Sequence, residues 1–154
     1  MSGVLGIDPG RAGALAVVDG DRLLWHWLTA EGCPDGYLPE VMDEAVSRAV
    51  MEYGATRAVL ERVGARPGQG VTSMFTFGAG WGLWRGILAG RLPVIEPTPA
   101  TWARVVHRDI PGDDAKAKSV ARACQLAGWP MLKARAKREA VADAACLAIY
   151  GGRS

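Results

Sequence analysis

The sequence predicts an α/β fold in which a mixed β-sheet is flanked by helices. Three short strand-like segments come first, at residues 4–8, 13–18 and 22–28. Asp19-Gly20, between the second and third segments, is a strong β-hairpin signal. A helical pattern then separates these strands from a fourth one, and a strand that returns after a crossover helix lies parallel to the first. The element order βββαβαβαα therefore indicates three antiparallel strands followed by parallel strands.

The later elements follow from periodicity and from glycine and proline signals. Residues 38–53 have apolar residues at helical spacing, and Gly54 is a typical helix stop. We expect strands at residues 56–63 and 92–95, a loop at 66–70, and helices at 71–89, 99–106, 115–127 and 137–149. Residues 131–138 are expected to form a basic connection.

The composition is that of a folded globular protein. A chain of 154 residues is expected to form a single domain over residues 1–154, and 49% hydrophobic with 22% charged residues excludes a disordered chain. No apolar stretch approaches the roughly 20 residues of a membrane helix. No basic segment precedes the first strand, so we expect no secretory signal. Three widely spaced cysteines without a CxxC pair indicate reduced thiols in the cytoplasm.

The net charge is only +2, but basic residues are concentrated in the second part of the chain. Residues 1–54 contain nine acids and three bases, whereas residues 55–154 contain seven acids and fifteen bases. Residues 115–138 carry seven bases and no acid. Such a segment is typical either of a solvated surface or of a surface that binds the phosphate backbone of nucleic acid. The charge pattern alone leaves both interpretations open.

Three acidic residues lie beside apolar segments on predicted regular elements. Asp8 ends the first strand, Glu61 ends the apolar run 58–61, and Asp143 lies in the alanine-rich last helix. Each acid alone is also typical of a solvated position. Acids among apolar neighbours are costly unless something compensates their charge, and a divalent cation does so commonly. Together they predict one metal site assembled by the fold.

The chemistry expected of such a site is phosphodiester cleavage, which uses carboxylates on rigid elements to hold two cations about 3.5–4 Å apart. Glu139 precedes Asp143 by four residues, so both face the same side of a helix and are expected to converge on the site.

A glycine-rich segment, residues 64–80, follows Glu61 directly. Glycines beside a metal site suit the close approach of a nucleic-acid backbone, with Gln69 and Ser73 as polar contacts. Phe75 is a candidate wedge between bases, or alternatively a residue of the core or of a dimer interface. The segment is not a phosphate-binding P-loop, because no Gly-Lys-Ser/Thr follows its glycines.

The sequence resembles the RuvC-like Holliday-junction resolvases, particularly their compact phage and prophage-type members. The resemblance spans nearly the whole chain and is carried by residues 6–10, 60–63, 66–75, 77–78, 84–89, 97–102, 116–119 and 142–144. The block Pro67-Gly68-Gln69-Gly70, with its downstream partners, is its most specific part.

The resemblance implies an RNase H-like fold and a homodimer that nicks four-way DNA junctions with Mg²⁺, or with Mn²⁺ in its place. It implies that Asp8, Glu61 and Asp143 are catalytic metal ligands. The family usually has a fourth ligand three or four residues before the last acid. Ala140 stands three residues before Asp143, so the role passes to Glu139.

The resemblance also implies contacts to DNA, with Lys118 as an additional catalytic residue. The expected DNA-binding residues are Arg66, Gln69, Ser73, Phe75, Lys116, Lys118, Lys133, Arg135 and Lys137. The apolar face of residues 71–89 is the candidate dimer interface, and the expected location is the cytoplasm of a bacterium or of a phage-infected cell.

Two other functions remain open at this stage. One is a related RNase H-fold nuclease that acts on other branched DNA or on RNA. The other is a non-catalytic junction-binding protein, although the presence of all three acids argues against it. An actin-like phosphotransferase also begins with a strand, an aspartate and a hairpin, but it needs a second subdomain for which 154 residues leave no room.

Overall fold

A computed structural model describes residues 2–154, whose strands form one mixed sheet. The strands are β1 (Gly3–Asp8), β2 (Ala14–Asp19), β3 (Arg22–Leu28), β4 (Ala55–Leu60) and β5 (Val94–Ile95). Their order in the sheet is β3-β2-β1-β4-β5. The pairs β1–β2 and β2–β3 are antiparallel, and the pairs β1–β4 and β4–β5 are parallel. The predicted mixed sheet is therefore confirmed.

Helices cover both faces of this sheet. They are α1 (Thr29–Gly32), α2 (Pro39–Met51), α3 (Val71–Leu88), α4 (Pro99–Val106), α5 (Ala115–Ala123) and α6 (Arg135–Arg153). The short helix α1 is an addition to the elements expected from the sequence. Within residues 2–154, every helix is too short or too polar to cross a lipid bilayer.

Two helices have different ends from those predicted. Helix α5 ends before residue 127, because the backbone of Ala127 pairs instead with β3, accepting a hydrogen bond from the amide of Leu23. Helix α6 begins at Arg135, inside the predicted basic connection, and continues through Gly151. Gly151 lies so close to Val59 that a Cβ atom would come within 2.4 Å of its Cγ2, so this glycine serves packing and not helix termination.

The alternation of side chains along the strands divides the core into two layers. Leu5 and Ile7 of β1 pack on the side of α2 and α3, in the same layer as the fully buried Trp84. Val4 of β1 and Val59 of β4 pack on the side of α4, α5 and α6. Asp8 has the same parity as Val4, so its side chain faces α6.

Helix α6 crosses β1 at Gly6, where only a hydrogen atom fits between the two backbones. A Cβ atom at this position would lie 1.9 Å from the carbonyl oxygen of Ala144 and 2.6 Å from the amide nitrogen of Ala148. Both neighbours are backbone atoms of a helix, which cannot move as a flexible side chain does. The contact therefore sets the distance between α6 and the end of β1.

We predict that Gly6→Ala lowers the thermal unfolding temperature, because overpacking against a rigid backbone costs typically about 1–3 kcal/mol, and each kcal/mol shifts the midpoint by about 2–4 °C at this size. Circular dichroism would measure the shift. The matched control is Gly152→Ala on α6, where an added Cβ meets nothing within 4 Å. The control should unfold at the wild-type temperature or slightly above it. Equal midpoints for Gly6→Ala and the wild type would contradict the close approach.

Candidate active site

Asp8, Glu61 and Asp143 line one cavity of about 460 Å³ at the end of the sheet. Asp8 ends β1, and Glu61 directly follows β4. The two strands are parallel, and the amide of Glu61 donates a hydrogen bond to the carbonyl oxygen of Ile7 at 3.2 Å. The backbones that carry both acids are therefore joined side by side, and Asp143 approaches them from α6.

Burial and mutual repulsion both act on these carboxyl groups. Burial raises the pKa of Asp8 well above its usual value, and the charges of Asp143 and Glu61 raise it further. Burial also raises the pKa of Glu61, against the opposing effect of a hydrogen bond from Trp102. Like charges in a partly buried cavity destabilise one another, so the arrangement favours the binding of a cation.

A positively charged side chain of the protein itself, Lys116, contacts this acid cluster. Its amino group donates a hydrogen bond to Oδ2 of Asp143, whose side chain is only 9% exposed. Burial acts to lower the pKa of Lys116, but the hydrogen bond and charge of Asp143, together with the charges of Asp8 and Glu61, raise it above its usual value. Lys116 thus partly neutralises the acid cluster.

The chemistry of the donors fits a hard divalent cation, since carboxylate oxygens are the ligands that Mg²⁺ prefers. The positions of the side chains do not match such a site, however. Within residues 2–154, no three acidic, histidine or cysteine side chains are arranged closely enough to hold one metal ion. The side chains stand in the arrangement that pairs Asp143 with Lys116. Side-chain rotations change these distances without moving the backbone, so the donor set and the shared cavity are compatible with a divalent cation.

Glu139 lies outside the cavity that the other three acids line. Its carboxylate accepts a hydrogen bond from Nε of Arg135 at 2.8 Å, one helical turn earlier. It lines a neighbouring groove, which also contains Asp8 and Lys116. The structure therefore brings Glu139 near the site but not into the same cavity as Glu61 and Asp143.

Two of the expected DNA-binding residues before α4 lie in the wall of this cavity. Arg66 and Gln69 line it together with the acids. The amide of Gln69 lies 3.4 Å from the hydroxyl of Ser73 at the start of α3. Phe75 is 79% exposed, so it is not the core residue that one interpretation of the sequence suggested.

The basic residues expected to bind DNA are distributed more widely. Lys116 lines the cavity, whereas Lys118, expected to be catalytic, is not among the lining residues. Lys133 is exposed, Arg135 pairs with Glu139, and Lys137 donates to Glu31 at 2.6 Å.

One wall of the cavity consists of residues that the sequence did not identify as functional. Nε1 of Trp102 donates a hydrogen bond to Oε1 of Glu61 at 3.0 Å. The ring of His107 packs edge-to-face against the Trp102 indole, and its Nε2 lies 2.9 Å from the hydroxyl of Ser119. The available signal was the start of α4, where Thr98 caps the helix and Pro99 occupies its first turn. That signal places Trp102 one turn into the helix.

Comparison with known proteins places this geometry in a known fold. The structure is similar to Thermus thermophilus RuvC in complex with a Holliday junction substrate, with a TM-score of 0.69 and 18% sequence identity over 99% of this chain and 93% of that chain. A second Thermus thermophilus RuvC structure gives a TM-score of 0.63 and 20% identity over 98% and 95% of the two chains. The chain has the RNase H-like fold of RuvC. No protein-family model and no curated protein sequence matches it.

We predict that Asp8→Asn raises the unfolding temperature in EDTA by about 2–4 °C or more. The substitution removes a buried negative charge that the neighbouring acids repel, and each kcal/mol of stability gained shifts the midpoint by about 2–4 °C at this size. Because the carboxylate pKa is raised in the folded state, its ionised form destabilises the fold at neutral pH. The gain should shrink as the pH falls and Asp8 takes up a proton. Differential scanning calorimetry at several pH values would measure both effects.

The same experiment with added Mg²⁺ tests the cation. Ligand binding stabilises the folded protein, so Mg²⁺ should raise the unfolding temperature of the wild type but not of Asp8→Asn. The control is Asp35→Asn at an exposed position away from the cavity, which should respond to Mg²⁺ as the wild type does. An Asp8→Asn protein less stable than the wild type in EDTA would contradict the proposed repulsion.

Proposed function

We propose that the protein is a metal-dependent, structure-selective DNA endonuclease that resolves four-way (Holliday) junctions by paired nicks. The observation that carries this proposal is the meeting of Asp8, Glu61 and Asp143 in one cavity. The fold that carries these acids is similar to that of Thermus thermophilus RuvC, whose structure was solved in complex with a Holliday junction substrate. The fold alone is compatible with many functions, so the acids and the charge around them support the assignment.

The three carboxylates would hold Mg²⁺, with Mn²⁺ as a substitute, and the bound cation would supply Lewis-acid activation for phosphodiester hydrolysis. Asp8 lines both the main cavity and the neighbouring groove, so its carboxylate would be the best placed of the three to bind a cation in either space. A cation bound at Asp143 would compete with Lys116 for the charge of this carboxylate. The amino group of Lys116, once released from Asp143, would be free to contact the scissile phosphate.

The basic residues around the cavity support DNA as the substrate. Arg66 and Lys116 line the cavity, and exposed bases continue along the segment 115–138. The ion pairs of Arg135 and Lys137 are exposed, and exposed pairs are weak, so these cations can exchange their partners for DNA phosphates.

A homodimer would give the two active sites that paired nicks in a two-fold symmetric junction require. The supporting observation is an open stripe along α3. Gly78, Gly82 and Gly86 are spaced by four residues, and a Cβ atom added to any of them would meet nothing within 4 Å. Val71 and Phe75 extend the stripe and are 83% and 79% exposed. Exposed apolar side chains beside small residues suit the packing of a second α3.

A second function is favoured by one observation. Lys116 is paired with Asp143, and the acids within residues 2–154 do not form a ready metal cluster. A junction-binding protein that no longer cleaves would have these properties. A nuclease that acts on other branched DNA or on RNA would share the site and differ only in its substrate profile.

The proposed activity predicts paired symmetric nicks in a labelled immobile four-way junction, with no cleavage of linear duplex, in Mg²⁺ or Mn²⁺ and not in EDTA. Asp8→Asn should reduce cleavage by more than about 100-fold, since even indirect ligand supports contribute about 10–100-fold. It should leave junction binding intact, because the basic surface is unchanged. Gel analysis of both labelled strands would measure this.

Asp35→Asn serves as the control and should cleave as the wild type does. Junction binding without cleavage in either metal would support the architectural protein, and cleavage of RNA or of other branched DNA in preference to junctions would support the related nuclease. Full cleavage by Asp8→Asn would contradict the metal assignment.

The dimer proposal predicts that Gly82→Arg converts a dimer into a monomer, because a long charged side chain cannot fit between closely packed helices. Sedimentation velocity at micromolar concentration would measure the change. Gly152→Arg is the matched control, being an exposed helical glycine on α6 that also has open space around it. A monomeric wild type, or a dimer that tolerates Gly82→Arg, would contradict the interface.

A further inference from the structure

We propose that Trp102 is a positioning residue that fixes the carboxylate of Glu61 for cation binding through its indole N–H. The inference rests on the proposed function, because it deepens the role of the same acid cluster. Its basis is the hydrogen bond from Nε1 of Trp102 to Oε1 of Glu61 at 3.0 Å. This bond occupies one carboxylate oxygen and leaves the other for a cation.

The backbone around Glu61 is fixed on both sides. Its amide donates to Ile7 of β1, and the amide of Arg62 donates to the carbonyl oxygen of Pro97 at 2.8 Å. The backbone alone does not fix the carboxylate, because a glutamate side chain has three rotatable bonds. A further contact is needed at the end of the side chain, and Trp102 provides it.

The position of Trp102 follows from the same backbone contact. Pro97, held by Arg62, immediately precedes Thr98, whose hydroxyl accepts a hydrogen bond from the amide of Thr101 and caps α4. Proline at the first helical position favours a helix start at that point. Trp102 lies one turn later, so the segment that contacts Arg62 also directs the indole toward Glu61.

The indole is itself held in place from the other side. Trp102 is 5% exposed, and His107 packs against it edge-to-face with ring centroids 5.3 Å apart. His107 is bound to Ser119, whose carbonyl oxygen accepts from the thiol of Cys146, one turn beyond Asp143 on α6. A continuous set of contacts therefore joins the side chain of Glu61 to the helix that carries Asp143.

An indole N–H suits this position because it is only a donor. It can support a carboxylate that binds a metal, and it cannot compete for the metal as a histidine or carboxylate would. Groups that orient metal ligands in this way typically contribute about 10–100-fold to metal affinity. The inference is therefore that Trp102 acts through Glu61 and does not touch the cation.

The test compares Mg²⁺ affinity by isothermal titration calorimetry for the wild type, Trp102→Phe and Trp84→Phe. Trp84 is the matched control, because it is fully buried and its Nε1 has no hydrogen-bond partner within residues 2–154. Both variants lose an indole N–H and core volume, but only Trp102→Phe loses a contact to Glu61. We expect about 10-fold or weaker Mg²⁺ binding for Trp102→Phe, wild-type affinity for Trp84→Phe, and junction cleavage by Trp102→Phe that recovers at high Mg²⁺ concentration.

A second measurement uses only the wild-type protein, so it remains informative if Trp102→Phe fails to fold. The indole N–H resonances are followed by NMR during a Mg²⁺ titration, and that of Trp102 should shift together with the backbone amides of Asp8 and Glu61. An unmoved Trp102 resonance, or equal Mg²⁺ affinity of wild type and Trp102→Phe, would overturn the positioning role alone. Absence of Mg²⁺ binding by the wild type would overturn both this role and the proposed function.

Discussion

The crossing of α6 over β1 at Gly6 is the contact on which the geometry of the site depends. Because no side chain separates the two backbones there, the helix lies close enough to bring Asp143 to the end of the strand that carries Asp8. The parallel pairing of β1 with β4 adds Glu61 at the same edge of the sheet. Each acid is thus positioned by backbone packing. Such packing constrains few side chains, which is compatible with a fold similar to that of RuvC at only 18–20% identity.

That packing has an electrostatic cost, which the chain reduces without removing it. Burial and the neighbouring acids raise the pKa of Asp8, and Lys116 offsets part of this effect through its ion pair with Asp143. Lys116 is half exposed and lies on a separate helix, so it can leave when another cation arrives. If a divalent cation binds as proposed, the lysine-paired site and the metal-bound site would be two states of one cluster. The balance between them would be set by the difference in free energy between the ammonium group and the divalent cation as partners of Asp143.

The sequence was sufficient to predict the sheet and the meeting of three acids, and insufficient for the contacts around them. Strand ends and helix periodicity are local properties, and a strand that returns after a crossover helix lies parallel to the first. The position of Glu139 could not be derived in the same way. Glu139 and Asp143, four residues apart, lie on the same face of the helix but about 6 Å apart along its axis. The carboxylate of Glu139 pairs with Arg135 instead of entering the cavity. The bond between Trp102 and Glu61 joins residues 41 positions apart and depends on the orientation of α4, which no local pattern encodes.

Helix α3 connects the edge of the sheet that carries the acid cluster to the face proposed for dimerisation. Gly10, in the turn after Asp8, has a positive φ of 119°, and Phe77 of α3 lies where a Cβ of Gly10 would come within 3.4 Å of its ring. Trp84 anchors the same helix in the core, while Gly78 and Gly82 remain open on the opposite side. A single helix therefore contacts the turn after Asp8 and also carries the face proposed for dimerisation. In such a dimer the separation of the two active sites would be determined by α3 itself, which suits a substrate whose two scissile phosphates are related by a fixed two-fold axis.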